Sequence, residues 1–493
     1  MKYNRSVLWL SSLFILSILI RLPHLNRPLA KHHEFNSAVV LLGLESWKQG
    51  GGAQNFGFIP LLTYQNTADK LLQKGPYIDE KGNQIYLSFG PGWYVIPYII
   101  FNTFNIPFTP LALQILNLFF LLASVLLLYR FVYYLFVKAG YEPFLPSIAA
   151  CFVFLLNPSI LWYLGNGYVC TGIALPFLII ILHYGTKMLY EHAEIKTRTM
   201  IVYMLAGICS IYIDWYGISF MAITAIGALL KIRQNKKYAT LFVVSFITII
   251  LGVLIILFQF ITYAGWQAVH DYWASRYIDR GLVNPSITNL QNVVKFLKHL
   301  ITSFLPIILT LAFGFILARK TRFATKVPKI IKLPLAISLV SCLFDSAVFL
   351  NWAGEHEFAV IPYSIFLSIL SAWIINVVAK KYVFRLALLT FLLTLTQYYY
   401  INFPGKYTAQ GLPYDSYKKT GLAINELAAT DERIFCNTSY MIYNFYAKRS
   451  FTYVHSYEEA LKWASQYGIR KGVWIKIRET RDKIMIEEVK HFN

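Results

Sequence analysis

Residues 21–37 read RLPHLNRPLAKHHEFNS and directly follow the first long apolar run of the chain. Within this stretch His32, His33 and Glu34 are consecutive, about a dozen residues beyond a segment of membrane-span length. A patterned stretch, from Phe35 to Trp47, follows them. A cluster of titratable groups at the end of a span indicates the active-site loop of a membrane enzyme.

The composition is that of a membrane protein. Of the 493 residues, 57% are hydrophobic and 14% are charged, and the mean hydropathy is +0.51. Apolar runs of about 20 residues, the length of a helical span, recur between Val7 and Tyr400. Basic cytoplasmic loops explain the formal net charge of +21, so nucleic acid is not expected as a partner. The five cysteines have no metal-type spacing and indicate no disulfide framework.

Charge alternation predicts the topology. Lys2 and Arg5 precede the first span, and basic residues cluster in alternate later connections, as is typical of cytoplasmic loops. The connections left outside are residues 23–89, 164–167, 214–215, 264–297 and 352–357. Segment 90–136 must then cross the membrane an odd number of times, so one of its two apolar stretches is re-entrant or kinked. We therefore expect a multi-pass membrane protein with its active site on the outer face.

The predicted fold class is an all-α polytopic membrane protein with about 11–13 transmembrane helices. The first domain covers residues 1–400 and includes the outer loop 23–89, in which residues 38–47 predict a short interfacial helix capped by Ser37 or Asn36. After residue 400, helical and strand patterns alternate, and one of the helices has Ser456 as its N-cap. This alternation predicts a small extracytoplasmic α/β domain over residues 401–493.

Glu34 is the leading candidate for catalysis, because a carboxylate in this loop could act as a general base on a hydroxyl. The alternative is an ordinary loop acid solvated by water. His32 and Glu34 together offer ligands for a divalent metal ion, since imidazole and carboxylate are common metal ligands. No cofactor is certain from the sequence.

Two further clusters fall at outer connections. In the turn formed by residues 352–357, Glu355 or His356 would face Glu34 across an outer cavity, and the alternative is a solvated turn between two helices. Asp214 interrupts an apolar stretch and is either a helix cap or a substrate-binding residue.

The stretch HDYWASRYIDRG, residues 270–281, combines two arginines with aromatic residues. Arg276 and Arg280 could grip a phosphate in a forked geometry, and Tyr272 could offer a stacking surface to a sugar. The alternative is that these residues contact lipid headgroups, as aromatic and basic residues commonly do at membrane interfaces.

The layout resembles the GT-C class of glycosyltransferases. It shares a single span, a large outer loop that opens with an acid, a proline-containing entry to the next span (SFGPGWYVIPY, residues 88–98), many later spans and a soluble outer tail. The nearest likeness is to bacterial members of the dolichyl-phosphate-mannose protein mannosyltransferase and aminoarabinose-transferase superfamily. Those families carry Asp-Glu or a lone Asp in the first outer loop, where this sequence has His33-Glu34.

The resemblance implies transfer of one sugar from a polyprenyl-phosphate carrier to an extracytoplasmic glycan, lipid or protein acceptor, with inversion at the anomeric carbon. It also implies membrane lipid as a partner and a location in the bacterial inner membrane. In this scheme Glu34, or its neighbour His33, serves as the base, and Arg276, Arg280 or His356 stabilises the departing phosphate.

Two other function classes remain open from the residues. A transporter or lipid flippase would show internal repeats and acids near the bilayer midplane. A glycan polymerase or ligase would use a diphosphate-linked lipid donor and outer-loop arginines, which Arg276 and Arg280 could supply.

Overall fold

The computed structural model describes residues 2–30, 33–72, 75, 77–191, 195–281, 289–320, 326–402, 412–480 and 482–493. The α-helices in these ranges are α1 (Lys2–Arg21), α2 (Phe35–Gln49), α3 (Gly92–Thr103), α4 (Pro110–Lys138), α5 (Phe144–Leu155), α6 (Pro158–Tyr163), α7 (Cys170–Tyr190), α8 (Thr197–Ile213), α9 (Tyr216–Leu229), α10 (Lys236–Ala264), α11 (Trp266–Arg280), α12 (Asn289–Lys320), α13 (Lys329–Val348), α14 (Leu350–Glu355), α15 (Tyr363–Val377), α16 (Lys380–Thr396), α17 (Ser416–Leu427), α18 (Met441–Ala447) and α19 (Tyr457–Gln466). The strands are β1 (Arg433–Cys436), β2 (Phe451–Tyr453), β3 (Gly472–Glu479) and β4 (Ile484–Phe492).

Long apolar helices dominate the chain. In the described ranges, six are long and apolar enough to cross a membrane: Arg5–His24, Pro110–Lys138, Cys170–Tyr190, Lys236–Ala264, Leu290–Arg319 and Lys329–Val348. Shorter apolar helices of 10–17 residues are Phe144–Leu155, Thr197–Ile213, Tyr216–Leu229 and Tyr363–Val377. The chain is an integral membrane protein with several spans, and the predicted class, helical and polytopic with a small α/β region at its C-terminal end, is confirmed.

The two helices between residues 90 and 138 differ in length. Helix α3 has 12 residues with Pro97 inside it, and at 1.5 Å per residue it is about 18 Å long. That is less than the roughly 30 Å of a bilayer core. Helix α4 has 29 residues and is long enough to span. One long and one short helix fit the odd number of crossings expected for this segment.

Contacts divide the chain into two compact units. The first unit contains Met1–His24, Ile115–Ile256 and Arg276–Asn402, and the second contains Leu25–Gln114, Leu257–Ser275 and Phe403–Asn493. The first outer loop and the C-terminal residues thus belong to the same compact unit. The domain boundary expected at residue 400 stays a prediction.

In the first unit, α5 packs on α15, α7 on α8 and α9 on α13. Residues 144–163 form two helices, α5 and α6, rather than one. The side chain of Asn157 caps α6 by accepting a hydrogen bond from the N–H of Ser159 at 2.9 Å. Pro158 follows at the first helical position, where its missing N–H costs nothing.

In the second unit, α2 is a core helix. It begins at Phe35 rather than at residue 38, and neither Ser37 nor Asn36 caps it, because both lie inside the helix. Val39, Leu42 and Leu44, which fall on different sides of the helix, are each at most 6% exposed. Unlike a lone interfacial helix, α2 leaves no face open, and its position relative to the membrane interface stays a prediction. Helix α2 packs against α3 and α18.

The C-terminal strands form a four-stranded sheet in the order β2-β1-β3-β4. Strand β1 is parallel to β2 and β3, and β4 is antiparallel to β3. The predicted N-cap Ser456 is confirmed, because its hydroxyl accepts a hydrogen bond from the N–H of Glu459 at 3.2 Å. The sequence did not predict β4, whose charged residues suit an edge strand.

A buried ion pair ties the C-terminal part of the second unit to the first loop. The Nε of Arg449 donates to Asp69 Oδ1 at 2.8 Å, and their side chains are 7% and 1% exposed. The N–H of Ser450 donates to the same carboxylate oxygen at 3.1 Å. Residues about 380 positions apart are therefore held in one hydrogen-bonded cluster.

A buried carboxylate as the candidate active site

Glu34 lies at the start of α2 and is 1% exposed. Its Oε2 accepts hydrogen bonds from the N–H of Ala30 at 2.6 Å and from Nη1 of Arg27 at 3.1 Å. Nη2 of Arg27 donates to Oε1, so the guanidinium holds both carboxylate oxygens. The structure therefore excludes the alternative of an ordinary solvated loop acid.

The backbone of the loop brings Arg27 back to Glu34. Asn26 and His33 both have positive φ angles, 59° and 54°, and residues 27–30 between them form no helix or turn. Asparagine tolerates this left-handed conformation better than histidine does. Pro28 restricts the backbone directly after Arg27. These two backbone reversals bring Arg27 and Glu34, which are seven residues apart in the sequence, close enough to form a forked ion pair.

Burial raises the pKa of the Glu34 carboxyl to about 7, because the charged form loses its hydration. The charge of Arg27 and the hydrogen bonds from Ala30 and Arg27 act in the opposite direction. A carboxyl group with a pKa near neutrality can both take and return a proton at the working pH, which is what general base catalysis requires.

Tyrosines from the C-terminal part of the same unit surround this pair. The guanidinium carbon of Arg27 lies 4.0 Å from the ring centre of Tyr414, a cation-π contact. The hydroxyl of Tyr446 accepts a hydrogen bond from the N–H of Leu29 at 2.7 Å. The negative charge of Glu34 adds to the burial that raises the pKa of Tyr440. The site is thus built from two distant parts of the sequence.

The carboxylate of Glu34 is held by protein groups in this arrangement. Its oxygens already accept hydrogen bonds from a guanidinium, which carries the positive charge that a metal ion would supply. Within the described ranges no group of three or more His, Cys, Asp or Glu side chains could hold a metal ion. His32, the other predicted ligand, lies outside the described residues, so the metal option stays a prediction.

His33 contributes through its backbone. Its carbonyl accepts hydrogen bonds at 3.3 Å from the N–H and from the side-chain amide of Asn36. The imidazole is half-buried, with its ring centre 6.5 Å from that of Phe35. This geometry gives His33 a place in the turn before α2, and its predicted catalytic role stays a prediction.

The turn with Glu355 and His356 belongs to the first unit, whereas Glu34 belongs to the second. Glu355 is exposed, as the alternative of a solvated turn predicts. The imidazole of His356 stacks on Phe358 at 5.1 Å and meets the edge of Trp352 at 5.9 Å. The proposed pairing of His356 with Glu34 stays a prediction.

Sequence reasoning did not select Glu357, the acid after His356. Tyr163, Thr302 and Ser303 each place a hydroxyl 3.4 Å from its carboxylate. Burial raises the pKa of the Glu357 carboxyl, and these hydrogen bonds act against that rise. Its partners come from two distant helices, so no local signal could have singled it out.

Asp214 lies between α8 and α9 and is 1% exposed. It is the C-cap residue of α8, and its Oδ1 accepts a hydrogen bond at 3.2 Å from the N–H of Tyr216, the first residue of α9. Burial raises the pKa of its carboxyl, and hydrogen bonds from Thr171 and Cys170 partly offset that rise. The cap expected as one alternative is present, and substrate binding by Asp214 remains a prediction.

The predicted arginine loop is helical, because residues 266–280 form α11. Arg276 and Arg280, four residues apart, lie on one helix face, and Nη1 of Arg276 is 3.9 Å from Oδ2 of Asp279. Tyr272 is 1% exposed, its hydroxyl is 3.1 Å from that of Ser88, and its ring meets Tyr77 at 4.8 Å. Its ring is therefore packed within the second unit, and stacking on a sugar stays a prediction.

The architecture matches solved membrane proteins. One is ArnT from Cupriavidus metallidurans bound to undecaprenyl phosphate, with a TM-score of 0.61, 11% sequence identity and coverage of 95% of this chain and 93% of that chain. Another is the archaeal oligosaccharyltransferase AglB from Archaeoglobus fulgidus in complex with an inhibitory peptide and a dolichol-phosphate. It gives a TM-score of 0.56 at 11% identity, over 95% of this chain and 69% of that chain.

No family model and no curated protein matches the chain. At 11% identity the structural likenesses establish the fold. The expected likeness to the GT-C class, and to the aminoarabinose transferase within it, is confirmed at that level.

Proposed function

We propose that the chain is a membrane glycosyltransferase that moves one sugar from a polyprenyl-phosphate carrier to an acceptor outside the cytoplasm, with Glu34 as the general base. The observation that carries the proposal is the Glu34 carboxylate, buried and held by Arg27 in the loop after the first span. The fold supports it, because ArnT and AglB of similar fold are solved with undecaprenyl phosphate and dolichol-phosphate.

The proposed reaction is a single displacement at the anomeric carbon of the sugar. The acceptor hydroxyl oxygen forms the new bond to that carbon, while the bond from the carbon to the phosphate oxygen breaks. The lipid phosphate leaves with the electron pair, and Glu34 takes the hydroxyl proton. Attack opposite the leaving phosphate inverts the configuration.

In this scheme Arg27 lowers the pKa of Glu34 and so allows the carboxylate to act as a base near neutral pH. A buried carboxylate without a partner would hold its proton too firmly to act as a base at neutral pH, and the adjacent guanidinium counters that tendency. The forked contact also fixes the direction in which the carboxylate oxygens point. Arg276, Arg280 and His356 remain the proposed groups for stabilising the departing phosphate.

Glu34 is nearly inaccessible, so an acceptor reaches it only when part of its covering moves. Tyr414 and Tyr446 contact the Arg27 to Ala30 segment. We infer that acceptor binding displaces one of these tyrosines. A long acceptor would then contact the C-terminal part of the second unit, which makes this part a determinant of acceptor choice.

Purified protein in detergent, supplied with radiolabelled polyprenyl-phosphate sugars and candidate acceptors, tests the proposal. Transfer of label to an acceptor is the expected result, and it also excludes a pure transporter, because detergent solution has no separate compartments. Transfer from diphosphate-linked donors alone would replace the proposal with a polymerase or ligase. If the protein binds labelled carrier but transfers no label with any donor and acceptor in the panel, the proposal is contradicted.

Chelation tests the metal option separately. Transfer that persists after treatment with EDTA is expected, because a guanidinium already neutralises Glu34. Loss of transfer on chelation, restored by a divalent cation, would show that the base works beside a metal ion and that Arg27 is displaced from it.

A further inference from the structure

The first unit contains an apolar groove of about 530 Å³. Helices α1, α5 and α16 contribute lining residues, among them Trp9, Leu145 and Val383 in their N-terminal halves. Helices α12 and α15 complete the lining. The volume lies within the range of about 300–1,000 Å³ in which small ligands bind.

The hydroxyl groups of the lining are already satisfied. Ser371 donates to the carbonyl of Leu367 at 2.7 Å, and Thr390 donates to the carbonyl of Leu386 at 2.8 Å. Thr310 likewise donates to its own helix and lies 3.0 Å from the Thr390 hydroxyl. The walls therefore offer a ligand mainly apolar contact, which suits a hydrocarbon chain.

One end of the groove is positively charged. Lys380 is the first residue of α16, lines the groove and has an exposed side chain. Arg5 lies 4.7 Å from the ring of Phe144, the first residue of α5. Glu142 is the acid beside this end, and its carboxylate already accepts hydrogen bonds from the N–H groups of Phe144 and Leu145. None of the described lining residues is acidic.

We propose that this groove binds one acyl chain of an anionic phospholipid, whose phosphate contacts Lys380. The chain would lie along the apolar walls, and the headgroup would lie at the end where α1, α5 and α16 begin. The positive end of the α16 dipole, which no side chain caps, adds to the attraction for an anion. Basic pockets between transmembrane helices bind anionic headgroups by the same logic. This site is independent of the proposed sugar transfer, since Glu34 does not line it.

Native mass spectrometry of the full-length protein in detergent tests the site with phosphatidylglycerol and phosphatidylcholine of identical chains. We expect the wild type to retain one phosphatidylglycerol preferentially. Lys380→Gln should weaken that binding about fivefold, the worth of one cation near a lipid headgroup. Ala387→Trp, which fills the groove with an indole ring, should weaken binding of the lipid whatever its headgroup.

Lys381→Gln is the matched control, because Lys381 is the exposed neighbour of Lys380 and does not line the groove. It should bind phosphatidylglycerol as the wild type does. Equal binding of both lipids, equal losses for Lys380→Gln and Lys381→Gln, or displacement of phosphatidylglycerol by polyprenyl phosphate would overturn the proposal. Thermal unfolding of each variant without added lipid checks that it is folded.

Discussion

At the scale of single residues, the proposed chemistry follows from the forked contact between Arg27 and Glu34. Burial raises the pKa of Glu34 to about 7, and Arg27 limits that rise. The carboxyl is therefore protonated at acid pH and becomes ionised as the pH rises through neutrality. Since a general base must be ionised, the wild-type transfer rate should increase with pH, reach half its maximum near pH 7 and level off about one pH unit above that.

Replacing Arg27 should move this pH profile. Arg27→Gln removes the charge that lowers the pKa of Glu34, so the rising limb should shift to higher pH. A midpoint one unit higher makes the rate about tenfold lower on the acid side, while the rates at high pH should converge. Arg27→Lys keeps the charge and should shift the midpoint less. Initial rates measured between pH 5 and 10 test this, and a uniform loss without a shift would contradict the role of Arg27.

At the scale of elements, the approach of α17 to α18 sets the position of Tyr446. A Cβ atom placed on Gly421 would lie 2.6 Å from Cβ of Tyr446 and 3.1 Å from the carbonyl oxygen of Tyr443. Because these are rigid parts of α18, Gly421→Ala should push that helix away and weaken the contact between Tyr446 and Leu29. We expect a lower melting temperature and a changed KM for the acceptor.

Gly75→Ala serves as the control for Gly421→Ala. A Cβ atom there meets nothing within 4 Å, and Gly75 belongs to the same unit. Gly75→Ala should have the same melting temperature and the same KM for the acceptor as the wild type. Identical melting temperatures and KM values for the two variants would mean that the spacing of α17 and α18 does not affect the candidate site.

The buried pair of Arg449 and Asp69 joins elements from opposite ends of the chain. Arg449→Met leaves Asp69 buried without its partner, which typically costs about 3–5 kcal/mol. We expect the C-terminal residues to become sensitive to limited proteolysis before the membrane helices unfold. Adding Asp69→Leu should restore much of the lost stability, because no unpaired charge then remains. Equal protease resistance of wild type and Arg449→Met would show that the pair contributes little.

At the scale of the whole molecule, the second unit constrains the topology. The loop 23–89 and the C-terminal residues are hydrogen bonded to each other through Leu29 and Tyr446 and through Asp69 and Arg449. They must therefore lie on the same side of the membrane. Charge alternation predicts that this side is outside and that the basic connection around Lys236 is inside.

Cysteine labelling with an impermeant maleimide tests this topology in a Cys209→Ser background, which removes the exposed native cysteine. Lys81, Lys419 and Lys236 are all exposed, so a cysteine at each can react wherever reagent is present. Lys81→Cys and Lys419→Cys should be labelled in intact cells, and Lys236→Cys only after permeabilisation. Labelling of Lys81→Cys and Lys419→Cys on opposite sides would contradict the grouping of loop and tail.

The sequence predicted what depends on local pattern and on charge. Apolar runs predicted the long apolar helices, Ser456 predicted its helix cap, and the titratable cluster drew attention to Glu34. The surroundings of Glu34 were not predicted. They are formed by backbone reversals at Asn26 and His33 and by tyrosines hundreds of residues away, which no local sequence pattern indicates. The prediction that Asn36 or Ser37 caps α2 was wrong. Both residue types are preferred as N-caps, but tertiary packing of α2 decides where the helix begins.

The most direct test of the account compares sugar transfer by wild type, Glu34→Gln and Glu45→Gln under saturating donor and acceptor. Glu45 lies on the same helix and is half-buried, so its replacement controls for the loss of one acid from α2. The account predicts that Glu34→Gln folds, still binds the carrier and loses transfer by about a hundredfold or more, whereas Glu45→Gln keeps the wild-type rate. A Glu34→Gln variant that transfers sugar at the wild-type rate would contradict it.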